Sequence, residues 1–175
     1  MMEICYQALD TPIGRLLVAA SSRGLCRIGF PSESASERAA WFHRHFSAVP
    51  EEGVEGSLAR AMEQLGKYFE GQEEAFDVPL DLRGTPFQIQ VWRQLLEIPY
   101  GATVSYGEVA RAIGNPRASQ AVGSAVGKNP VPIVVPCHRV IGHNGSLVGF
   151  GGGLPTKEKL LKLEGVGVGA HFPTS

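Results

Sequence analysis

Residues 103–130, TVSYGEVARAIGNPRASQAVGSAVGKNP, determine the predicted fold of the second half of this chain. The pattern predicts a helix from about Ser105 to Ile113, a Gly-Asn-Pro break, and a second helix from about Arg117 to Gly127. Two short helices joined by a tight turn are typical of a helix-turn-helix, in which the second helix is the recognition helix. A pair of packed core helices gives the same pattern, so both interpretations stay open at this point.

The second of these helices carries unusually small side chains. They are Ala118, Ser119, Ala121, Gly123, Ser124 and Ala125. Such a surface allows the helix to lie very close to a nucleic-acid groove, and it equally allows close packing against another helix.

The segments on either side also give clear signals. Upstream, TPFQIQVWRQLLEIPYG (85–101) has a threonine cap, a proline at the first helical position and apolar residues on one face. Downstream, NPVPIVVPCHRVIG (129–142) has three prolines in seven residues, which predicts a rigid extended connection. The glycine-rich loop of 143–153 lets main chain approach a ligand, and LPTKEKLLKLEG (154–165) predicts a helix capped at Thr156.

The first half has a different character. EICYQAL, RLLVAAS and LCRIGF, within residues 3–30, predict three short strands joined by tight turns in an antiparallel meander. Two helical patterns follow, and AFDVPLDL (75–82) is a candidate further strand. We therefore predict an α/β chain of two domains: 1–83 with a small antiparallel sheet and helices, and 84–175, mainly helical.

Composition and charge narrow the functional class. With 43% hydrophobic and 19% charged residues, the chain is globular. No apolar run approaches the length of a membrane span, and the start lacks a signal peptide, so we expect a cytoplasmic protein with no membrane partner. Residues 1–100 hold nine Lys/Arg against fourteen Asp/Glu, whereas residues 101–163 hold seven against two. This asymmetry indicates that only the second half meets a polyanion, although ordinary surface variation explains it too.

Three cysteines, Cys5, Cys26 and Cys137, form no paired framework, as is usual in a reducing compartment. A zinc site would need Cys5 and Cys26 to recruit distant histidines such as His43 or His45, and no spacing requires it. We predict no metal and no cofactor.

Cys137 is the candidate nucleophile. A cysteine attacks as its thiolate and therefore needs a basic or electropositive setting. His138 is adjacent, but neighbours in an extended chain point apart, so it could reach the sulfur only in a turn or through a water. Glu164 could orient the imidazole, which gives a Cys-His-Glu arrangement like that of cysteine hydrolases. A Cys-His pair is structural more often than not, so spacing alone does not decide.

Several motifs together resemble the O6-alkylguanine-DNA alkyltransferases, the methylated-DNA–protein-cysteine methyltransferases. They are VSYGEVA (104–110), GNPRAS (114–119), KNPVPI (128–133), IVVPCHRVIG (133–142) and GFGGGLPTKEKLLKLEG (149–165). The resemblance runs almost without gaps from Thr85 to Gly165, and the first half, from LDTPIG (9–14), resembles the family's N-terminal domain. It implies an RNase H-like N-terminal domain and a winged-helix-like C-terminal domain with a helix-turn-helix.

The resemblance also implies the chemistry. Cys137 would accept an alkyl group from O6 of guanine, and by extension O4 of thymine, irreversibly and once per protein molecule. His138 would take the thiol proton through a water, with Glu164 fixing the imidazole and Asn129 bracing the segment. Tyr106 would donate its phenolic proton towards the departing guanine.

Binding residues follow from the same resemblance. The base would leave the duplex for a pocket lined by Pro132 and Phe150. Backbone groups of Cys137, Val140 and Gly151 would read the edges of the guanine. The DNA contacts, in the minor groove of a double-stranded partner, would come from Gln120, Arg117, Ala118, Ser119, Gly123, Lys128 and Arg139. The family commonly has an arginine where this chain has Gln120, so we expect weaker base flipping and weaker DNA affinity. We predict a monomer.

Three other functions compete with suicide repair. A non-catalytic alkyl-lesion sensor on the same scaffold would lack the cysteine that this chain retains. A transcription regulator would bind one operator sequence tightly as a dimer. A cysteine hydrolase would turn over ester or peptide substrates.

Overall fold

The computed structural model describes residues 3–54, 56–72, 74–145 and 147–166. The chain divides into two compact units, of which the first ends at Gly84 and the second begins at Thr85. In the described part of the chain, no helix is long and apolar enough to cross a membrane.

The first unit is built on a four-stranded sheet. In chain order its elements are β1 (Ile4–Thr11), β2 (Gly14–Ser21), β3 (Gly24–Gly29), α1 (Ala35–Phe46), β4 (Glu51–Glu52) and α2 (Ser57–Phe69). The strand order is β3-β2-β1-β4. The predicted meander of β1, β2 and β3 is antiparallel and confirmed, whereas β4 pairs with β1 in parallel, so the sheet is mixed. The candidate strand of 75–82 is reduced to a single bridge between Leu25 and Leu80.

The two helices of this unit bury the faces that their apolar spacing predicts. Ser34 caps α1 by accepting a hydrogen bond from the Glu37 amide. Phe42 and Phe46 of α1 then pack on a cluster that includes Ile4, Ala19 and Cys26. The buried residues of α2 are Leu58, Ala61, Leu65 and Tyr68.

The second unit is mainly helical. Its elements are α3 (Pro86–Leu95), β5 (Val104–Ser105), α4 (Tyr106–Ala112), α5 (Ser119–Gly127), a 3-10 turn at Cys137–Arg139, β6 (Val140–Ile141) and α6 (Leu154–Leu163). Strands β5 and β6 form a parallel pair. The predicted fold class, with a small N-terminal sheet and a helical C-terminal part, is confirmed.

Helix α3 begins where its sequence predicts. Thr85 and Gln88 form a reciprocal capping box, and Pro86 occupies the first turn, where its missing N–H has no helical partner. Trp92 of α3 is buried and donates from Nε1 to the Ala125 carbonyl of α5 at 2.8 Å. This bond fixes α5 to the core side of the unit.

Helices α4 and α5 form the predicted two-helix motif, with one shift. Ser105 caps α4 by accepting from the Glu108 amide, and Gly114 leaves the helix with a φ of 80°. Helix α5 begins at Ser119, two residues later than predicted, because the Ala118 amide bonds back to the Asn115 carbonyl and keeps 115–118 in a turn.

The last helix starts earlier than predicted. Gly153, with a φ of 91°, precedes Leu154, and Pro155 sits in the first turn. Thr156 is therefore inside α6 and is not its cap. A left-handed glycine performs the turn into the helix that we had assigned to a threonine side chain.

Candidate active site

Cys137 lies in a buried turn. Pro136 precedes it, the 3-10 turn of Cys137–Arg139 contains it, and β6 follows, paired in parallel with β5. Its side chain is 5% exposed, and its amide donates to the Val135 carbonyl at 2.8 Å. The turn conformation removes the obstacle that an extended chain would place between Cys137 and His138.

The Cys137 thiol is held in its protonated form. Burial raises its pKa to about 11, against the opposing effects of a hydrogen bond from Asn129 and the positive charge of Lys157. A thiolate therefore has to be generated at the site by a nearby base, because little exists at neutral pH.

His138 follows Cys137 in the same turn and has the protonation state that such a base needs. The imidazole is fully buried, and its Nε2 lies 2.6 Å from Oε2 of Glu164. Burial lowers the pKa of His138 from its ordinary value, although the Glu164 carboxylate opposes this, so the ring is neutral at pH 7. Because the carboxylate accepts from Nε2–H, the lone pair is on Nδ1. Within the described residues Nδ1 is buried and has no hydrogen-bond partner.

Arg139 corrects one prediction. We assigned it to the DNA surface, but its side chain is buried and donates from Nε to Glu164 Oε1 at 2.8 Å and from Nη2 to Oε2 at 3.0 Å. Its Nη1 donates to the Ile98 carbonyl at 2.7 Å. Because these hydrogen bonds occupy its guanidinium, Arg139 is the counter-ion of Glu164 and is not available to bind a DNA phosphate.

Asn129 braces the segment before the cysteine. Its Nδ2 donates to the Val135 carbonyl at 2.8 Å, and its Oδ1 accepts from the Val131 amide at 2.9 Å. One side-chain amide thus joins Val131 to Val135 within the proline-rich segment.

Lys157 is a site residue that sequence reasoning missed. It is fully buried, and its Nζ donates to the carbonyls of Val140, Val148 and Gly149 at 2.6, 3.0 and 3.3 Å. Burial lowers its pKa to about 8. A usable signal was present, because Lys157 shares a helical face with Leu160, Leu161 and Glu164 at a spacing of three, four and seven residues.

Tyr106 stands at the start of α4 and faces the glycine-rich loop. Its hydroxyl donates to the Val148 carbonyl at 3.1 Å, the same oxygen that accepts from Lys157. Burial raises the pKa of Tyr106, and the charge of a Cys137 thiolate raises it further. The Tyr106 phenol and the Cys137 sulfur are therefore close enough for their charges to interact.

A cavity of about 140 Å³ opens beside Tyr106. Its lining among the described residues is Tyr106, Gly123, Val126, Gly127, Gly149, Phe150 and Gly151. Phe150 and Gly151 were predicted to border a base, and they do line this cavity. Pro132, which was predicted to line the pocket, and Val140, whose backbone was predicted to read the guanine, are buried and are not among these lining residues.

The predicted DNA contacts divide by exposure. Arg117, Gln120 and Lys128 are exposed, whereas Ala118, Ser119 and Gly123 are half-buried. A methyl group added at Gly123 would meet the Tyr106 ring at 3.8 Å, which is ordinary contact.

In the described part of the chain, no three His, Cys, Asp or Glu side chains are grouped as metal ligands.

Comparison with known proteins identifies the class. Residues 4–82 match the 6-O-methylguanine DNA methyltransferase, ribonuclease-like domain, and residues 86–166 match the 6-O-methylguanine DNA methyltransferase, DNA binding domain. Two relatives named methylated-DNA–protein-cysteine methyltransferase are each 46% identical. That of Mycobacterium bovis aligns over 92% of both chains, and that of Methanosarcina acetivorans over 91% of this chain and 97% of its own. The crystal structure of Mycobacterium tuberculosis OGT in complex with DNA has a TM-score of 0.80 and 44% identity, covering 91% of this chain and 92% of that one.

The chain belongs to the methylated-DNA–protein-cysteine methyltransferase family. It is a DNA-binding transferase of direct-reversal DNA repair. The competing functions of sensor, regulator and hydrolase are not favoured by these relatives.

Proposed function

We propose that Cys137 accepts the alkyl group from O6 of guanine in a single, irreversible displacement. The observation that carries this proposal is the buried pair that follows the thiol. His138 is neutral, fixed by Glu164 and left with a free Nδ1 lone pair, one residue from a sulfur whose proton must be removed.

The displacement combines proton transfers with one exchange of bonds. The thiol proton passes to His138 Nδ1 through a water, and the sulfur forms a bond to the alkyl carbon as the carbon–O6 bond breaks. The bonding pair stays on guanine, which takes a proton from the Tyr106 hydroxyl. The proton held on His138 then returns through solvent to the Tyr106 phenolate. The net change is an exchange: the alkyl group replaces the thiol hydrogen, a proton replaces the alkyl group on guanine, and a stable thioether leaves the protein inactive. With O4-alkylated thymine the same displacement applies, and the leaving group is thymine.

Tyr106 has to change partner during this reaction. Its hydroxyl is engaged by the Val148 carbonyl, so donation to guanine requires that this 3.1 Å bond be broken as the base enters. The cavity that Tyr106 lines with Phe150 and Gly151 is the site into which we propose the flipped base moves.

DNA is met in the minor groove by α5, with one protein monomer per lesion. Arg117 and Lys128, exposed near the two ends of this helix, supply positive charge for phosphates. The small residues Ala118, Ser119 and Gly123 permit close approach, and Gln120 fills the space that the extruded base leaves.

Tyr106→Phe tests the acid role. Single-turnover transfer from an O6-methylguanine duplex should slow by about a hundredfold, because general acid catalysis of this kind contributes roughly 10²–10⁴. Binding to the same duplex should stay within about twofold. Tyr6→Phe, in the first unit, is the matched control. Equal transfer rates for Tyr106→Phe and wild type would remove Tyr106 from the mechanism.

A further inference from the structure

Ile133 has a backbone conformation that its side chain disfavours. Its φ is 76°, and the residue is fully buried. A β-branched residue in the left-handed region is a genuine outlier. The other non-glycine residue with positive φ in the described ranges is Ser47, the C-cap of α1, where a left-handed residue is an ordinary helix ending. No helix ends at Ile133.

The surroundings hold this conformation from both sides. The Val135 amide donates to the Val131 carbonyl at 2.9 Å, which closes a loop around Ile133. Asn129 accepts from the Val131 amide and donates to the Val135 carbonyl, so it grips the same two residues. Strained backbone persists only where neighbouring contacts over-determine it, and this loop meets that condition.

The loop ends directly on the nucleophile. The Val135 carbonyl that accepts from Asn129 also accepts from the Cys137 amide at 2.8 Å. The direction in which the chain leaves Ile133 therefore sets the position of the Cys137 main chain, and with it the position of the sulfur.

We infer that Ile133 is a positioning residue for alkyl transfer: its left-handed backbone, locked by a buried side chain and by Asn129, fixes the place of Cys137. This inference rests on the proposed role of Cys137. A glycine would adopt the same φ without strain but would leave the loop free to sample other conformations. The isoleucine confines the loop, and in-line displacement depends on such confinement because small misplacements of reacting atoms cost much of the rate.

The matched variants Ile133→Ala and Ile133→Gly separate backbone from side chain. Both remove the buried side chain beyond Cβ, but only glycine releases the strain. We expect Ile133→Gly to be at least as stable as Ile133→Ala in urea, the reverse of the usual order. We also expect Ile133→Gly to transfer methyl to Cys137 about tenfold more slowly than Ile133→Ala in a single turnover. The two variants should bind the lesion duplex equally well.

Equal transfer rates for the two variants, or lower stability for glycine, would overturn the inference. Ile133→Val, which keeps the branched Cβ and most of the volume, covers the case in which the smaller variants do not fold. It should react within twofold of wild type, and a tenfold loss at near-normal stability would assign the effect to side-chain packing instead. Failure of the proposed function is distinguishable, because wild-type protein would then leave Cys137 unmethylated.

Discussion

A single carboxylate organises the charges around the reactive thiol. Glu164 accepts from His138 through Oε2 and from Arg139 through both oxygens, and the three side chains are buried. The residues themselves suggested that Glu164 orients His138, and the resemblance supported this arrangement. Arg139 was misplaced, because an arginine after a Cys-His pair has no local pattern that distinguishes a buried counter-ion from a phosphate ligand.

Glu164→Ala should therefore destabilise the protein by about 3–5 kcal/mol, since it leaves the Arg139 guanidinium buried without its partner. The free energy of unfolding in urea measures this loss. The control is Glu158→Ala, which removes a surface pair with Lys162 from the same helix and should change stability by less than about 0.5 kcal/mol. A similarly small loss of unfolding free energy in both variants would show that the buried contacts of Glu164 with His138 and Arg139 do not stabilise the protein.

Gln120→Arg should strengthen binding to a lesion duplex about tenfold, because the guanidinium adds a positive charge near the phosphates and a flat group that stacks on exposed bases. The measurement is the dissociation constant for an O6-methylguanine duplex with the Cys137→Ala background, which prevents reaction. Ala121→Arg adds the same charge at a neighbouring exposed position of α5. An equal gain in affinity for Gln120→Arg and Ala121→Arg would show that the added positive charge alone explains the effect.

At the scale of elements, helix starts were predicted correctly where a capping side chain marks them. They were misplaced where the backbone conformation alone turns the chain into the helix. Thr85 caps α3 as expected, and Ser105, predicted as the approximate first residue of α4, is its cap. Helix α6 was misplaced because Gly153 turns the chain without any capping side chain. Helix α6 also carries Lys157 inward to bond three carbonyls of β6 and the glycine-rich loop, a contact that depends on tertiary packing.

Lys157→Met should release the glycine-rich loop while leaving α6 helical. Two carbonyls of the loop, those of Val148 and Gly149, lose their donor, so amide hydrogen exchange over residues 147–153 should rise at least tenfold. Peptide-resolved exchange by mass spectrometry measures it. Lys159→Met, at an exposed position of the same helix, serves as control. Unchanged exchange in the loop would mean that the ammonium is not what holds it.

At the scale of the whole molecule, the two-part fold follows from the contrast between the alternating strands of residues 3–30 and a mainly helical second half. The resemblance supplied the class of each part. The parallel pairing of β4 could not be predicted, because the strand is only Glu51–Glu52 and has no periodicity to read. The cytoplasmic location stays a prediction.

The acidic first half and the basic second half of the chain lead to a prediction about the salt dependence of DNA binding. Binding to DNA should weaken with salt, and Arg117→Gln and Lys128→Gln should each lower the slope of log affinity against log salt by about 0.9, the value for one lost phosphate contact. Arg44→Gln, an exposed change in the acidic first half, should leave the slope unchanged. A titration by fluorescence anisotropy at several salt concentrations gives these slopes. A lower slope for Arg44→Gln would place DNA on the first unit as well.

The most direct test of the proposed chemistry is the intact mass of the protein after incubation with a duplex that carries one O6-methylguanine, beside the Cys137→Ala variant. We predict that wild-type protein gains the mass of one methylene unit, saturates at one per chain, and carries it on the peptide that contains Cys137, while the variant gains nothing. An unchanged wild-type mass with retained binding to the lesion, or a gain that persists in the variant, would contradict alkyl transfer to Cys137.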